Sequence, residues 1–96
     1  MLTLLGTGAA FTDPHRTTTM LAFSDAGSSV VIDCGGDVIQ RMQMADIDVR
    51  TLDALILTHE HPDHVGGFPL FMEKVWLAGR QAPVAIYGIA AALSQA

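Results

Sequence analysis

Short apolar runs alternate along most of the chain with segments rich in glycine, proline and polar residues. Runs of this length, bounded by turn residues and rich in valine, isoleucine and leucine, are typical of β-strands. The pattern predicts strands at residues 1–5, 18–24, 28–32, 53–58 and 83–87. The second and third strands are separated by the segment Asp25–Gly27, which predicts a hairpin.

Other stretches carry apolar residues at helical spacing. Residues 37–45 predict an amphipathic helix whose apolar stripe is formed by Val38, Met42 and Ala45. Pro69 suits the first turn of a second helix, which continues over residues 70–78. Because that helix is apolar almost all round, we expect it to be buried. A further helix begins near residue 89, and the alternation of helices with strands predicts the α/β class.

The composition is apolar for so short a chain. Hydrophobic residues make up 50% of the 96 positions and charged residues 16%, whereas about 25% are charged in typical domains. A small autonomous domain has more surface per volume and should be more polar. The excess suits a half-domain whose hydrophobic face meets a partner sheet. No apolar run approaches the roughly 18 residues of a membrane-spanning helix, so no membrane partner is expected.

Charge and cysteine content narrow the expected setting. Five basic residues against ten acidic ones give a net charge of −5, unlike the basic patch of a nucleic-acid-binding surface. Residues 1–6 lack the basic start of a signal peptide. Cys34 is the single cysteine, so an internal disulfide is excluded and a reducing, cytoplasmic localisation is expected. Cys34 itself is predicted to be a small buried residue.

Three of the four histidines lie in one short segment that begins at His59. Imidazole and carboxylate groups are the side chains that bind zinc and similar ions. His59 and His61 follow a predicted strand, where positions i and i+2 face the same way, so both can point at one ion. A turn after Pro62 could bring Asp63 and His64 to a second ion beside the first.

Glu60 alternates away from the neighbouring histidines, which favours a solvent-facing position over a ligand role. The alternative interpretation of the whole segment is a polar surface turn that binds no metal. The density of the cluster and its place at a strand end favour the metal. Two ions about 3.5–4 Å apart are a common arrangement for hydrolysing phosphate or carbonyl compounds.

Residues 57–67, Leu-Thr-His-Glu-His-Pro-Asp-His-Val-Gly-Gly, resemble the signature loop of the metallo-β-lactamase superfamily. The segments 5–8 and 31–35, and the run from Asp37 through Leu52, are similar to the opening of RNase Z-like members. The resemblance covers nearly the whole chain. It implies an α/β fold, the N-terminal half of a metallo-β-lactamase αββα sandwich, with residues 1–96 as one partial domain.

The resemblance also implies roles for the site residues. His59 and His61 would bind the first metal ion, and Asp63 and His64 would bind the second. Two divalent metal ions are expected, with zinc as the usual choice and iron or manganese as alternatives. A metal-bound hydroxide would be the nucleophile, and Asp63, as the catalytic residue, would orient it or take its proton.

The superfamily's site also uses a later histidine, a bridging aspartate and a final histidine, which have no counterpart in this sequence. The remaining histidine, His15, lies upstream in an expected entrance loop and cannot replace them. Asp33 would form a hydrogen bond behind the metal loop, with a turn or helix cap before Gly35 as an equal alternative. We therefore expect half of a domain that is inactive alone and forms a homo-oligomer or pairs with its missing half.

The implied function is metal-dependent hydrolysis, foremost of phosphodiester bonds as in RNase Z-like enzymes. Hydrolysis of a lactone, thioester or β-lactam within the same superfamily is one alternative, and an inactive metal-binding fragment is another. The expected partner is a small-molecule or phosphodiester substrate. RNA would have to be held by a surface outside these residues, because the chain carries no basic patch.

Overall fold

The computed structural model describes residues 1–9, 11, 16–25, 27–79 and 83–95. Five strands form one sheet whose order in space follows their order in the chain. The strands are β1 (Leu2–Gly6), β2 (Met20–Asp25), β3 (Ser28–Ile32), β4 (Leu52–Leu57) and β5 (Ala85–Gly88). Every strand lies close to the position predicted for it, so the short apolar runs identified the sheet.

The sheet is mixed. β1, β2 and β3 are antiparallel neighbours, whereas β4 and β5 each pair in parallel with the preceding strand. Asp25 pairs with Ser28, which confirms the hairpin. Gly27 in that hairpin has a φ of 77°, a conformation that glycine adopts at no steric cost. The parallel pairs need crossover connections, and these connections carry the helices.

The helices are α1 (Val38–Met44), α2 (Pro62–Val65), α3 (Phe68–Leu77) and α4 (Ala90–Gln95), with a 3-10 turn at Val49–Thr51. α1 begins after Asp37, whose side chain accepts a hydrogen bond from Gln40 N–H and so caps the helix. Pro69 lies in the first turn of α3, as predicted. None of the helices within the described ranges is long and apolar enough to cross a membrane.

Helices on one face of the sheet form the hydrophobic core together with it. α1 contributes Val38, Ile39 and Met42, and α3 contributes Phe71 and Val75. The strand side chains in this core are Leu5, Met20, Ala22, Val31, Leu52, Leu55 and Leu57. Ala45, predicted to lie on the apolar stripe of α1, is exposed because the helix ends there, and Ile39 is buried instead.

The expectation that the second long helix is buried all round is wrong. α3 buries Phe71 and Val75, which lie four residues apart on one side. Trp76 is 76% exposed and Leu77 is 64% exposed. A helix that lies on a sheet buries only the stripe facing it, and nothing among the described residues covers the outer side of α3.

The opposite face of the sheet is apolar, and the described helices leave it uncovered. Directly paired residues lie on the same face, so the strand register defines a continuous surface. This surface, here called the open face, comprises Leu2, Leu4, Leu21, Phe23, Val30, Ile32, Ala54, Ile56, Ala85 and Tyr87. Leu4 is 61% exposed and Tyr87 60% exposed. One helical layer on one sheet is the arrangement expected for half of an αββα sandwich.

Candidate metal centre

The predicted metal loop, residues 57–67, begins at the last residue of β4 and contains α2. His61 lies immediately before this short helix, and Pro62 is at its start, where the missing N–H of proline is no loss. The turn expected after Pro62 is therefore a single helical turn. It carries Asp63 and His64, whereas His59 lies in the irregular segment between the strand and the helix.

Main-chain hydrogen bonds hold the metal loop against the segment that follows β3. Cys34 N–H donates to the His64 carbonyl oxygen at 2.9 Å, and Gly67 N–H donates to the Cys34 carbonyl oxygen at 2.7 Å. The two segments approach so closely that a Cβ on Gly35 would lie 1.8 Å from the Asp63 carbonyl oxygen. Gly35 is therefore required by the space that the metal loop occupies.

Asp33, directly before Cys34, forms side-chain hydrogen bonds with residues of the metal loop. Its side chain is buried, and its backbone has a φ of 67°. Oδ1 accepts a hydrogen bond from Thr58 N–H at 2.8 Å, and Oδ2 accepts one from the Thr58 hydroxyl at 2.7 Å. Oδ2 also contacts Nδ1 of His64 at 2.8 Å. The predicted hydrogen-bonding role behind the metal loop is confirmed, and the following helix is capped by Asp37 instead.

The contact with Asp33 fixes the orientation of His64. A carboxylate only accepts hydrogen bonds, so Nδ1 of His64 must carry a proton and donate it. In the neutral ring Nε2 then keeps its lone pair, which is the form that binds a metal ion. This Nε2 lies 3.4 Å from Oδ2 of Asp63. Asp63 and His64, the predicted ligands of one ion, are thus neighbours in space.

The other histidines lie close by. The ring centroids of His59 and His64 are 4.6 Å apart, and those of His59 and His61 are 6.0 Å apart. His59 is therefore nearer to His64 than to His61, the residue predicted to share its ion. Glu60 is exposed, as expected. The assignment of these side chains to two separate ions stays a prediction.

The donor set fits divalent metal ions in its chemistry. It combines three imidazoles with one carboxylate, and a buried carboxylate orients one imidazole from behind, as in protein metal sites. The side chains of Asp63 and His64 are 27% and 23% exposed, so an ion can reach them from solvent. Across the described part of the chain, no three histidine, cysteine, aspartate or glutamate side chains are grouped to hold an ion. The loop therefore contributes candidate donor side chains, but the described residues do not form a complete coordination site.

Cys34 lies beside the site with its thiol held in the neutral form. Its thiol is buried, as predicted, and burial together with the nearby charge of Asp33 raises its pKa to about 12. A thiol with this pKa is not ionised at neutral pH, and the thiolate is the form that attacks substrates and binds metals. The main chain of Cys34 binds the metal loop twice, through its N–H to His64 and through its carbonyl oxygen to Gly67.

Sequence reasoning does not single out Thr58. Its backbone and hydroxyl both bind Asp33, although the two residues are 25 positions apart in the chain. The one available signal is its place at the end of β4, directly before the first histidine of the loop. His15 and its expected entrance loop lie outside the described residues.

Comparison with curated proteins finds relatives over most of the chain. A Ribonuclease Z from Agathobacter rectalis is 36% identical over 85 residues, which is 88% of this chain and 28% of that protein. A Ribonuclease Z from Methanococcus maripaludis is 32% identical over 87 residues, which is 91% of this chain and 28% of that protein. The chain thus spans about 28% of the length of these relatives, and the RNase Z-like resemblance is confirmed.

Solved structures share the fold. YhfI from Bacillus subtilis, a metallo-β-lactamase fold protein, matches with a TM-score of 0.82 and 26% identity, over 98% of this chain and 38% of that one. The short form of human tRNase Z matches with a TM-score of 0.62 and 19% identity, over 91% and 42%. A family model described as "Anti-Pycsar protein Apyc1" matches residues 1–93. The chain therefore has a metallo-β-lactamase fold and belongs to the Anti-Pycsar protein Apyc1 family.

Proposed function

We propose that the full-length protein is a metal-dependent hydrolase of phosphodiester bonds, similar to Ribonuclease Z. In this proposal His59 and His61 hold one divalent ion, and Asp63 and His64 hold a second. The relatives named Ribonuclease Z support the type of reaction. The imidazole and carboxylate donors of the loop support the requirement for a metal.

The observation that carries the proposal is the 2.8 Å contact between Nδ1 of His64 and the buried carboxylate of Asp33. Burying a carboxylate is costly unless it is fully hydrogen-bonded. A polar surface turn without a metal would gain little from such an arrangement behind one of its histidines. A metal site gains a ligand with a fixed ring and an available Nε2, so the contact favours the metal over the surface turn.

Bound divalent ions would supply Lewis-acid chemistry and lower the pKa of water toward neutrality. Asp63 is the residue suited to proton work in this loop, because its carboxylate is partly exposed beside Nε2 of His64. It can orient an attacking water molecule or take its proton. Zinc is the proposed metal, and iron and manganese are tested as alternatives.

We also propose that residues 1–96 are inactive by themselves. Support comes from the absence of a grouped set of three donors among the described side chains. The chain also spans only 28% of the curated relatives, so further ligands can come from the rest of such a protein. Turnover by the 96-residue chain at the rate of the full-length protein would contradict this part of the proposal.

The proposed setting is the cytoplasm, and the proposed partner is a small-molecule or phosphodiester substrate. Cys34 is the single cysteine and is buried, which suits a reducing compartment. Because the net charge of the chain is −5, an RNA substrate would need a basic surface outside these residues. Cell fractionation of the full-length protein tests the compartment directly.

The test of the hydrolase proposal uses the full-length protein loaded with zinc, iron or manganese, with a chromogenic phosphodiester and an RNA as substrates. His61→Ala and Asp63→Ala should lower turnover by about 10²- to 10⁴-fold. Glu60→Ala is the matched control, because Glu60 lies in the same loop and is exposed, and it should leave turnover unchanged. Full turnover in both site variants would reject the proposal. Faster turnover of a lactone, thioester or β-lactam would assign the alternative type of bond.

We further propose, from the description of the family, that the full-length protein counteracts Pycsar. The match over residues 1–93 supports this second proposal. Co-expression with a Pycsar system should abolish the output of that system, and the Asp63→Ala variant should fail to do so. A wild-type protein that leaves Pycsar unaffected but cleaves phosphodiesters would reject the second proposal and retain the first.

A further inference from the structure

The hydroxyl group of Thr58 lies between the buried carboxylate of Asp33 and the ring of His59. It donates a hydrogen bond to Oδ2 of Asp33 at 2.7 Å, and its oxygen is 3.2 Å from Nδ1 of His59. A hydroxyl has one hydrogen to donate, and the shorter, charge-assisted bond to the carboxylate takes it. If the hydrogen pointed at His59 instead, two acceptor oxygens would face each other at 2.7 Å with no proton between them.

We propose that Thr58 is a positioning residue that sets the tautomer of His59. With its hydrogen committed to Asp33, the hydroxyl can only accept a hydrogen bond from His59. Nδ1 of His59 therefore carries the ring proton in the neutral form, and Nε2 keeps its lone pair. The longer contact of the hydroxyl with Nδ1 of His64, 3.5 Å, does not compete, because that nitrogen already lies 2.8 Å from Asp33.

One buried carboxylate thus orients two histidines, His64 directly and His59 through Thr58. The use of this arrangement rests on the proposed metal function, since a lone pair on Nε2 matters when an ion is to be bound. The tautomers themselves are a property of the chain without metal. They can be measured whether or not the hydrolase proposal holds.

The side chain and main chain of Thr58 act separately, which makes the hydroxyl testable. Thr58 N–H donates to Oδ1 of Asp33 at 2.8 Å, and this bond remains when the hydroxyl is removed. Thr58→Val keeps the shape of the side chain and removes the hydroxyl, and Thr58→Ser keeps the hydroxyl. Thr3→Val is the matched control, a threonine in β1 that pairs with Ala22 in the sheet.

The first experiment records long-range ¹H–¹⁵N spectra of the histidine rings in the metal-free protein at pH 8.5. The alkaline pH favours the neutral form of imidazole, which is the form that has two tautomers. The wild type, Thr58→Ser and Thr3→Val should show the Nδ1–H tautomer at both His59 and His64. Thr58→Val should lose this preference at His59 and keep it at His64, where Asp33 still accepts directly.

The wild-type spectrum can overturn the proposal without any variant, because a proton on Nε2 of His59 contradicts it. An unchanged His59 tautomer in folded Thr58→Val also overturns it. The second measurement is zinc affinity by calorimetry, which should fall about 10-fold in Thr58→Val and stay at the wild-type value in Thr58→Ser. Equal losses in the valine and serine variants would show that the hydroxyl is not the cause.

Discussion

At the scale of single residues, Asp33 meets two requirements at one position. Its φ of 67° lies in the left-handed region, which aspartate and asparagine tolerate better than most residues. Its buried carboxylate accepts from Thr58 and holds His64. Asparagine would satisfy the backbone but has one acceptor oxygen in place of two. The positive φ alone would allow asparagine, and the two hydrogen-bonding oxygens are what favour aspartate at this position.

Asp33→Asn should lower the zinc affinity of the protein by about 10- to 100-fold, because the orientation of His64 is lost. Calorimetric titration with zinc measures the effect. Asp46→Asn is the matched control, since Asp46 also has a positive φ, 58°, and is exposed. Equal affinity in the Asp33 variant and the wild type would show that the buried carboxylate does not serve metal binding.

Gly35→Ala should lower the free energy of unfolding by at least about 1–3 kcal/mol, because the new methyl group overlaps the metal loop. The overlap is with the Asp63 carbonyl oxygen, a main-chain atom that cannot rotate away. Gly79→Ala is the comparison, since a Cβ there meets nothing within 4 Å and only the positive φ of 74° is strained, at about 1–2 kcal/mol. Urea unfolding followed by circular dichroism compares the two, and a smaller loss at Gly35 would contradict the close approach.

At this scale the sequence indicates which side chains could bind a metal ion, but it does not indicate which residues orient them. The spacing of His59, His61 and His64 predicts a metal loop because all three imidazoles lie within one short segment. The role of Asp33 stays open between two interpretations, and Thr58 goes unnoticed. Both act through contacts across 25 positions of chain, and one sequence does not show which distant residues meet.

At the scale of elements, an ion pair joins the start of α1 to the middle of α3. Nζ of Lys74 lies 2.5 Å from Oδ2 of Asp37, the residue that caps α1. Burial raises the pKa of Asp37, but hydrogen bonds from Lys74 and Gln40 N–H and the charge of Lys74 together lower it below its ordinary value. The pair therefore favours the folded state whenever Asp37 is ionised.

Lys74→Met should lower the free energy of unfolding at pH 7 by at most about 1 kcal/mol, since both side chains are partly exposed. The folded pKa of Asp37 is below its unfolded value, so the stabilisation is present above about pH 4 and is lost as the pH falls further. Urea unfolding at pH 7 and at pH 3 tests this. Arg50→Met, which breaks an exposed pair with Asp48 within one turn, should have the smaller effect. A difference that persists unchanged at pH 3 would contradict the assignment to Asp37.

The order and type of the elements follow from the sequence because each strand is a short apolar run with turn residues beside it. The burial of α3 does not follow in the same way. A helix that is apolar all round gives no sign of which side meets the sheet, and the structure places Phe71 and Val75 there and leaves Trp76 outside. Periodicity identifies a surface only when the other sides of the helix are polar.

At the scale of the whole molecule, the chain is one sheet with helices on one side. Its open face runs across all five strands and is apolar apart from the Asp25 and Ser28 pair at one end. Exposed apolar surfaces of this extent mark places where protein meets protein. The high apolar fraction of the sequence, 50%, has a structural explanation here, because many of its apolar side chains line a face which the described residues do not cover.

The 96-residue chain alone should self-associate through the open face at micromolar concentration. Leu4→Lys together with Phe23→Lys should weaken the association at least about 10-fold, because burying an unpaired ammonium group costs more than about 1.4 kcal/mol. Sedimentation velocity measures both. Trp76→Lys, on the outer side of α3, is the control and should associate like the wild type. Dissociation by the Trp76 change alone would place the contact on the helices, and a monomeric wild type would reject the prediction.

The metal loop is held against the segment after β3 by bonds that do not involve its histidine side chains. The bonds from Cys34 N–H to His64 and from Gly67 N–H to Cys34 are made by main-chain atoms, which every residue type except proline provides. These two bonds do not depend on the side chains of His59 and His61. A single substitution at His59 or His61 can exchange one donor for another while the loop keeps its course. In the proposed metal site, such an exchange would alter the preference for one metal over another while these main-chain bonds stay in place.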